Sequence, residues 1–233
     1  MQRRQEKAGY EHFMMKEIHE QPKAVEDTLN SVLQDGSLNL EEMGFTEEII
    51  NNISCIYIVA CGSAWHVGMT AQYVIEDMAG IPVRVEVASE FRYRKPLLDK
   101  NGLVIIISQS GETADSLAAL REAKEKGVRT LAVVNVVGSS IAREADHVFY
   151  TLAGPEISVA TTKAYSTQLM ASYILAIQFA FAKKHITEEQ YKDYIQELET
   201  IPGKIKRILE DKERLQWFAA KQVNARGCFL YLE

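Results

Sequence analysis

Short apolar runs, each ending in a turn and each separated from the next by helical sequence, constrain this chain more than any other feature. Cys55 to Ala60 and Leu103 to Ile107 are continuously apolar, Val83 to Val87 and Thr130 to Asn135 follow the same style, and His147 to Leu152 is a weaker fifth. Strands of this kind are buried on both faces, as in a parallel sheet covered by helices. Helical sequence fills the intervals: Ala64 to Met78 ending at Gly80, Ala114 to Lys126 closed by Gly127, and a long apolar helix from about Ala160 to Lys184. The alternation predicts a doubly wound α/β fold, a three-layer αβα sandwich around a five-stranded parallel sheet with extra helices on its flanks.

The flanks differ in texture. Tyr10 to Leu33 carries a helical pattern interrupted at Pro22, which predicts two short helices, and Asp35-Gly36-Ser37 reads as a turn. After Ile186 the chain becomes charged and amphipathic, with a capping box at Thr187-Glu188-Glu189-Gln190, a break at Pro202-Gly203, and a second helix from Lys204 to Gln222. Gly227 to Glu233 reads as the opening of a further strand.

A net charge of -6 argues against a general nucleic-acid surface. No apolar stretch combines membrane-spanning length with freedom from charge. The three cysteines, Cys55, Cys61 and Cys228, show neither CxxC nor metal-ligand spacing. Reduced thiols, a cytoplasmic setting, no metal and no cofactor are the expectations.

In an open parallel sheet, ligands bind beyond the carboxyl ends of the strands. Three such junctions are rich in small hydroxyl residues: Cys61-Gly62-Ser63-Ala64 after the first strand, Ser108-Gln109-Ser110-Gly111-Glu112-Thr113 after the third, and Val159-Ala160-Thr161-Thr162-Lys163 at the start of the long helix. A strand that enters a helix through such a turn leaves free backbone N–H groups at the positive end of the helix dipole, which suits an anion. The plainer alternative is that each junction is a turn with a helix cap. None has the lysine of a Walker A loop or the GxGxxG of a dinucleotide site, so a lone sugar phosphate is favoured over a nucleotide. The charge of Glu112 would repel a phosphate unless its side chain turns away.

Other ionisable candidates are His66, Glu90, Glu156 and Lys163. Glu90 can equally pair with Arg92 or Arg94. Lys163, in the first turn of a helix where a cation is disfavoured, suggests contact with an anion. Trp65 and Trp217 read as packing residues.

Four segments then carry a resemblance: Tyr10 to Pro22 (YEHFMMKEIHEQP), Ala60-Cys61-Gly62-Ser63, Ala88 to Arg94 (ASEFRYR) and Ser108 to Thr113. Together they resemble the isomerase part of the glutamine–fructose-6-phosphate aminotransferase family, which is built from two flavodoxin-like sugar-isomerase (SIS) modules. The resemblance implies linker helices at 1–50, a first SIS module at 51–185, connecting helices at 186–226 and the start of a second module at 227–233. It implies a hexose-phosphate ligand, fructose 6-phosphate or glucosamine 6-phosphate, and a homodimer. Ser108, Gln109, Ser110 and Thr113 would hold the phosphate, Cys61, Gly62 and Ser63 would line the same pocket, and Val159 with Thr161 would close the sugar side. The family commonly has threonine–serine where this chain has Ser63-Ala64, and usually glycine where it has Glu233. Its acid–base groups and Schiff-base lysine lie in the second module and tail, so this chain is expected to bind without turning over. Two alternatives remain: a SIS-type sugar-phosphate sensor acting on DNA, which would need a helix-turn-helix ahead of the module, and a stand-alone isomerase or deglycase, which would need a complete second module.

Overall fold

The computed structural model describes residues 7–227. Helix α1 (Phe13–Asn30) leads into a hairpin of β1 (Leu33–Gln34) and β2 (Ser37–Leu38), a single 3-10 turn at Glu41–Met43, and the short helix α2 (Glu47–Asn51). The alternating unit follows: β3 (Ile56–Ala60), α3 (Ser63–Ala79), β4 (Val83–Val87), α4 (Ala88–Tyr93), β5 (Leu103–Ser108), α5 (Ala114–Glu125), β6 (Arg129–Val134), α6 (Ser140–Glu144), β7 (His147–Tyr150) and α7 (Lys163–Ala182). Two helices, α8 (Glu188–Glu210) and α9 (Lys212–Lys221), come last.

The five predicted strands form one parallel sheet in the order β4-β3-β5-β6-β7. The pleat sends alternate side chains to opposite faces. Ile56, Ile58 and Ile105 meet α3 and α7 on one side, while Tyr57, Val59 and Val104 meet α4, α5 and α6 on the other. Each aliphatic side chain fully buried in this way contributes about 1.5–3 kcal/mol, which is why the central strands are apolar at every position. Gly68 lets α3 lie close on the sheet, since a Cβ there would stand 2.9 Å from Ile58 Cγ2 and 3.0 Å from Val85 Cγ1.

Neither proline breaks its helix, against the sequence expectation. Pro22 lies inside a single α1. It lacks the N–H that would bond the Ile18 carbonyl, and Gln21 Nε2 donates to that oxygen instead, at 3.0 Å. The burial of Ala24, Val25 and Leu29, with packing on α7 and α8, keeps the axis continuous. The capping box of α8 forms as predicted, Thr187 Oγ1 accepting from Gln190 N and Gln190 Oε1 from Thr187 N. That helix continues through Pro202 to Glu210, because Ile201 and Ile205 pack against the core on either side of the proline. The break falls at Asp211 instead. Trp217, expected to pack, is exposed on α9 with the Lys221 ammonium 3.8 Å from its ring centroid. The strand predicted from Gly227 to Glu233 lies, except for Gly227, outside the described residues.

The strand order decides where a ligand can enter. From β3 the chain winds outward to β4, then crosses back to place β5 on the other side of β3. The carboxyl ends of β3 and β5 therefore flank the crevice that such a reversal opens.

Candidate binding site

The turn after β5 is built by its own side chains. Ser108, 4% exposed, accepts the Gly111 N–H on Oγ at 3.1 Å and lies 3.2 Å from Thr113 Oγ1. The Ser110 hydroxyl accepts the Glu112 N–H at 3.2 Å, which leaves its proton free. Gly111 has φ +64°, and its carbonyl accepts from Ile141 N at 3.0 Å, tying the turn to α6. A Cβ at this position would stand 2.1 Å from Ser139 Oγ, so only glycine fits.

The capping alternative fails at two of the three junctions. Thr113, the N-cap residue of α5, makes no side-chain capping hydrogen bond, and Gly62, the N-cap residue of α3, has no side chain with which to make one. The first amides of both helices thus face the crevice with the partial positive charge of the helix ends. At the third junction the alternative holds. Glu156 Oε1 accepts from Thr162 N at 2.8 Å and Ala164 N at 3.2 Å, while Oε2 accepts the Thr161 hydroxyl at 3.0 Å. A carboxylate already occupies that helix start, so the third junction is a wall and not a cradle.

These elements enclose a cleft of about 280 Å³ lined by Cys61, Ser63, Ala64, Ser108, Gln109, Ser110 and Thr113 on one side and by Glu156, Ser158, Val159 and Thr161 on the other. Eight of the nine candidate residues therefore line one cavity, and Gly62 stands between two of them. Among the described lining residues none is lysine or arginine, so an anion here is met by hydroxyls and amides, whose bonds are charge-assisted from the ligand side. Ala64 reaches the cleft without a hydroxyl. The fold also brings Gln168 of α7 to the lining. It is 3% exposed, and its side-chain amide makes no hydrogen bond to the described residues. Its only sequence signal was a polar Thr167-Gln168 pair within an apolar helix.

Glu112 turns away from the cleft. Its carboxylate accepts the Ser140 N–H at 2.7 Å, and the Ser140 contacts, with the nearby charge of Arg143, hold its pKa below the usual carboxylate range. Its charge is directed at the start of α6. Lys163 also stays out of the lining: it is buried and pairs with Glu20 of α1 at 2.7 Å, so the anion it meets is a carboxylate of the protein and not a ligand in the cleft. Glu90 pairs with neither candidate, since Arg92 bonds Asp115 and Arg94 bonds Glu86. His66 is exposed, with Nδ1 3.1 Å from the Gly62 carbonyl. Trp65 packs against the core.

A larger concavity, about 730 Å³, lies at the opposite, amino-terminal ends of the strands. There Lys124 pairs with Asp146 at 2.6 Å, and Arg129 donates to His147 Nε2 at 3.2 Å. Those two cations join structural elements, and the polarity of the sheet favours the smaller cleft.

The chain is 52% identical to the isomerizing glutamine–fructose-6-phosphate aminotransferase of Caldanaerobacter subterraneus subsp. tengcongensis, over 96% of this chain and 37% of that protein. It is 56% identical to the same enzyme of Clostridium acetobutylicum over the same shares. Thus it spans about 37% of the length of these curated relatives. The C-terminal domain of glucosamine-fructose-6-phosphate aminotransferase from Francisella tularensis superposes with a TM-score of 0.91 and 40% identity, over 94% of this chain and 62% of that one. The model of the SIS domain matches residues 49–178, more than half of the chain, and the chain belongs to the SIS domain family.

Proposed function

We propose that the cleft binds the phosphoryl group of a hexose phosphate, fructose 6-phosphate or glucosamine 6-phosphate, and that the chain is the sugar-holding module of an isomerizing aminotransferase. One observation carries the reading: two uncapped helix starts, α3 and α5, converge with the hydroxyls of Ser108, Ser110 and Thr113 at the strand reversal, without a cation in the lining. Donors without formal charge suit a dianion that must be released after each turnover. Gln168 and the 158–161 segment stand across the cleft, where the sugar carbons would extend.

Proton transfer between sugar carbons needs an acid and a base, and amination of a ketose needs a lysine able to form a Schiff base. The one carboxylate in the lining, Glu156, is engaged at the start of α7. The residues of this cleft therefore supply binding and orientation and leave the chemistry to groups beyond it. The same reading includes a cytoplasmic homodimer. Ile208, Leu215, Trp217 and Phe218, each more than half exposed on α8 and α9, form the apolar surface that a dimer would cover, and sedimentation distinguishes dimer from monomer.

A thermal-shift titration tests the ligand assignment. At 100 times its dissociation constant a ligand that binds only the folded state adds about 2.7 kcal/mol. Fructose 6-phosphate and glucosamine 6-phosphate are expected to raise the midpoint, and fructose is not. Equal shifts with and without the phosphoryl group overturn the reading.

A further inference from the structure

The wall of the cleft is held from behind by a helix that precedes the sheet. Glu17 of α1 is 2% exposed, yet it is a carboxylate. Its Oε1 accepts the Ile157 N–H at 2.6 Å and the Ser158 N–H at 3.2 Å, and its Oε2 lies 3.3 Å from the same Ser158 nitrogen. One turn on, Glu20 receives the Lys163 ammonium at 2.7 Å, and Gln21 accepts the Ser166 hydroxyl at 2.6 Å. Positions 17, 20 and 21 share one face of the helix. That face grips the segment from Ile157 to Ser166, which supplies Ser158, Val159 and Thr161 to the cleft.

The arrangement is costly unless it has a purpose. An isolated buried carboxylate is strongly disfavoured, and burial alone would push the acid's pKa up. Here burial is outweighed by the hydrogen bonds from the loop at Ile157 and Ser158 and by the charge of Lys163, so Glu17 titrates below the usual carboxylate range. The two amides gain as much as the carboxylate. They belong to a loop with no partner strand, and without Glu17 they would have to find water or lose their bonds. From the other side Glu156 closes the same loop onto the start of α7. The segment is thus pinned at both edges by carboxylates, while Val159 between them projects fully into solvent at the rim of the cleft.

We infer that Glu17 is a positioning residue for the sugar side of this cleft: by fixing the Ile157 and Ser158 amides it sets where Ser158, Val159 and Thr161 stand, and so makes sugar affinity depend on the seating of α1. The inference rests on the cleft being a hexose-phosphate site. The phosphate cradle at 108–113 is built by its own side chains and is not touched by Glu17, so the two halves of the ligand respond separately.

The test compares the chain with Glu17→Gln and Glu17→Asp by isothermal titration, using fructose 6-phosphate and inorganic phosphate as probes. Glutamine keeps one acceptor but turns an NH2 toward the loop amides. It is expected to weaken fructose 6-phosphate about tenfold or more while changing phosphate affinity less than twofold. Aspartate, which keeps the charge on a shorter arm, is expected to recover part of that loss. A variant that binds fructose 6-phosphate as tightly as the parent overturns the inference, as does an equal loss for both probes. Failure of the parent chain to bind either probe refutes the site assignment itself. If Glu17→Gln does not fold, hydrogen exchange on the parent decides: the Ile157 and Ser158 amides are expected to exchange at least tenfold more slowly than those of Val159 and Ala160, and equal rates overturn the inference.

Discussion

Replacing Gly111 by alanine tests the most demanding piece of geometry in the cleft. Two separate penalties follow from the structure. The backbone at φ +64° is left-handed, which costs a residue bearing a Cβ about 1–2 kcal/mol. The new methyl would also stand 2.1 Å from Ser139 Oγ and 2.6 Å from Ser139 Cβ, and relieving an overpacked contact of this kind costs about 1–3 kcal/mol. The sum, roughly 2–5 kcal/mol, is to be read from the urea midpoint of the folded chain. Ser139 offers the control. Its hydroxyl oxygen is buried without a hydrogen-bond partner among the described residues, so Ser139→Gly removes the obstructing atoms and breaks no hydrogen bond of that side chain. In the double variant the steric part should vanish and the backbone part remain, giving a favourable coupling of about 1–3 kcal/mol. A Gly111→Ala cost below about 1 kcal/mol, or a cost that Ser139→Gly leaves unchanged, refutes the argument that the turn after β5 is shaped by its approach to α6.

Ser110→Ala combined with Thr113→Ala should weaken fructose 6-phosphate and inorganic phosphate alike by about a hundredfold or more, since each of the two lost hydrogen bonds to a charged group is worth about 1.5–3 kcal/mol; unchanged affinity in a titration counts against the cradle. Gln168→Ala is expected to lower affinity for fructose 6-phosphate and leave inorganic phosphate unaffected, and equal losses would place the amide on the phosphate side. Asp146 gives a pH prediction. Burial pushes its pKa up, but Lys124, the Thr130 side chain and the Thr130 amide outweigh burial, so the folded value lies below the ordinary 3.8. A depressed carboxylate stabilises the fold fully above its unfolded value and loses that contribution as pH falls through the folded one. Stability should therefore decline below about pH 3.8, and Asp146→Asn should flatten that decline; an equally steep acid transition in the variant refutes the role.

The cradle was visible before the fold because it is local. Ser108 to Thr113 follows an apolar strand and opens a helix, and that adjacency alone aims free amides at one point. The contributions made across the chain were not visible. Glu17 looked like any acidic position on an amphipathic helix, and only the arrival of Ile157 and Ser158, 140 and 141 residues away, shows what it holds. Gln168 was hidden in a long apolar helix, and Lys163 appeared available to an anion until Glu20 was found beside it. Pro22 and Pro202 misled for the same reason, since the loss of one backbone bond is a local fact and the packing that overrides it is not.

The amino-acid sequence by itself determined the layered α/β class, the strands, and the donor-rich turns at their carboxyl ends, because hydrophobic period and turn chemistry act over a few residues. Tertiary structure alone decided which turns share a cleft, which helix start is already occupied by Glu156, and where Glu112 directs its charge. Those outcomes depend on strand order and on partners far apart in the chain, whose approach is set by the burial of the whole core and not by any segment taken singly.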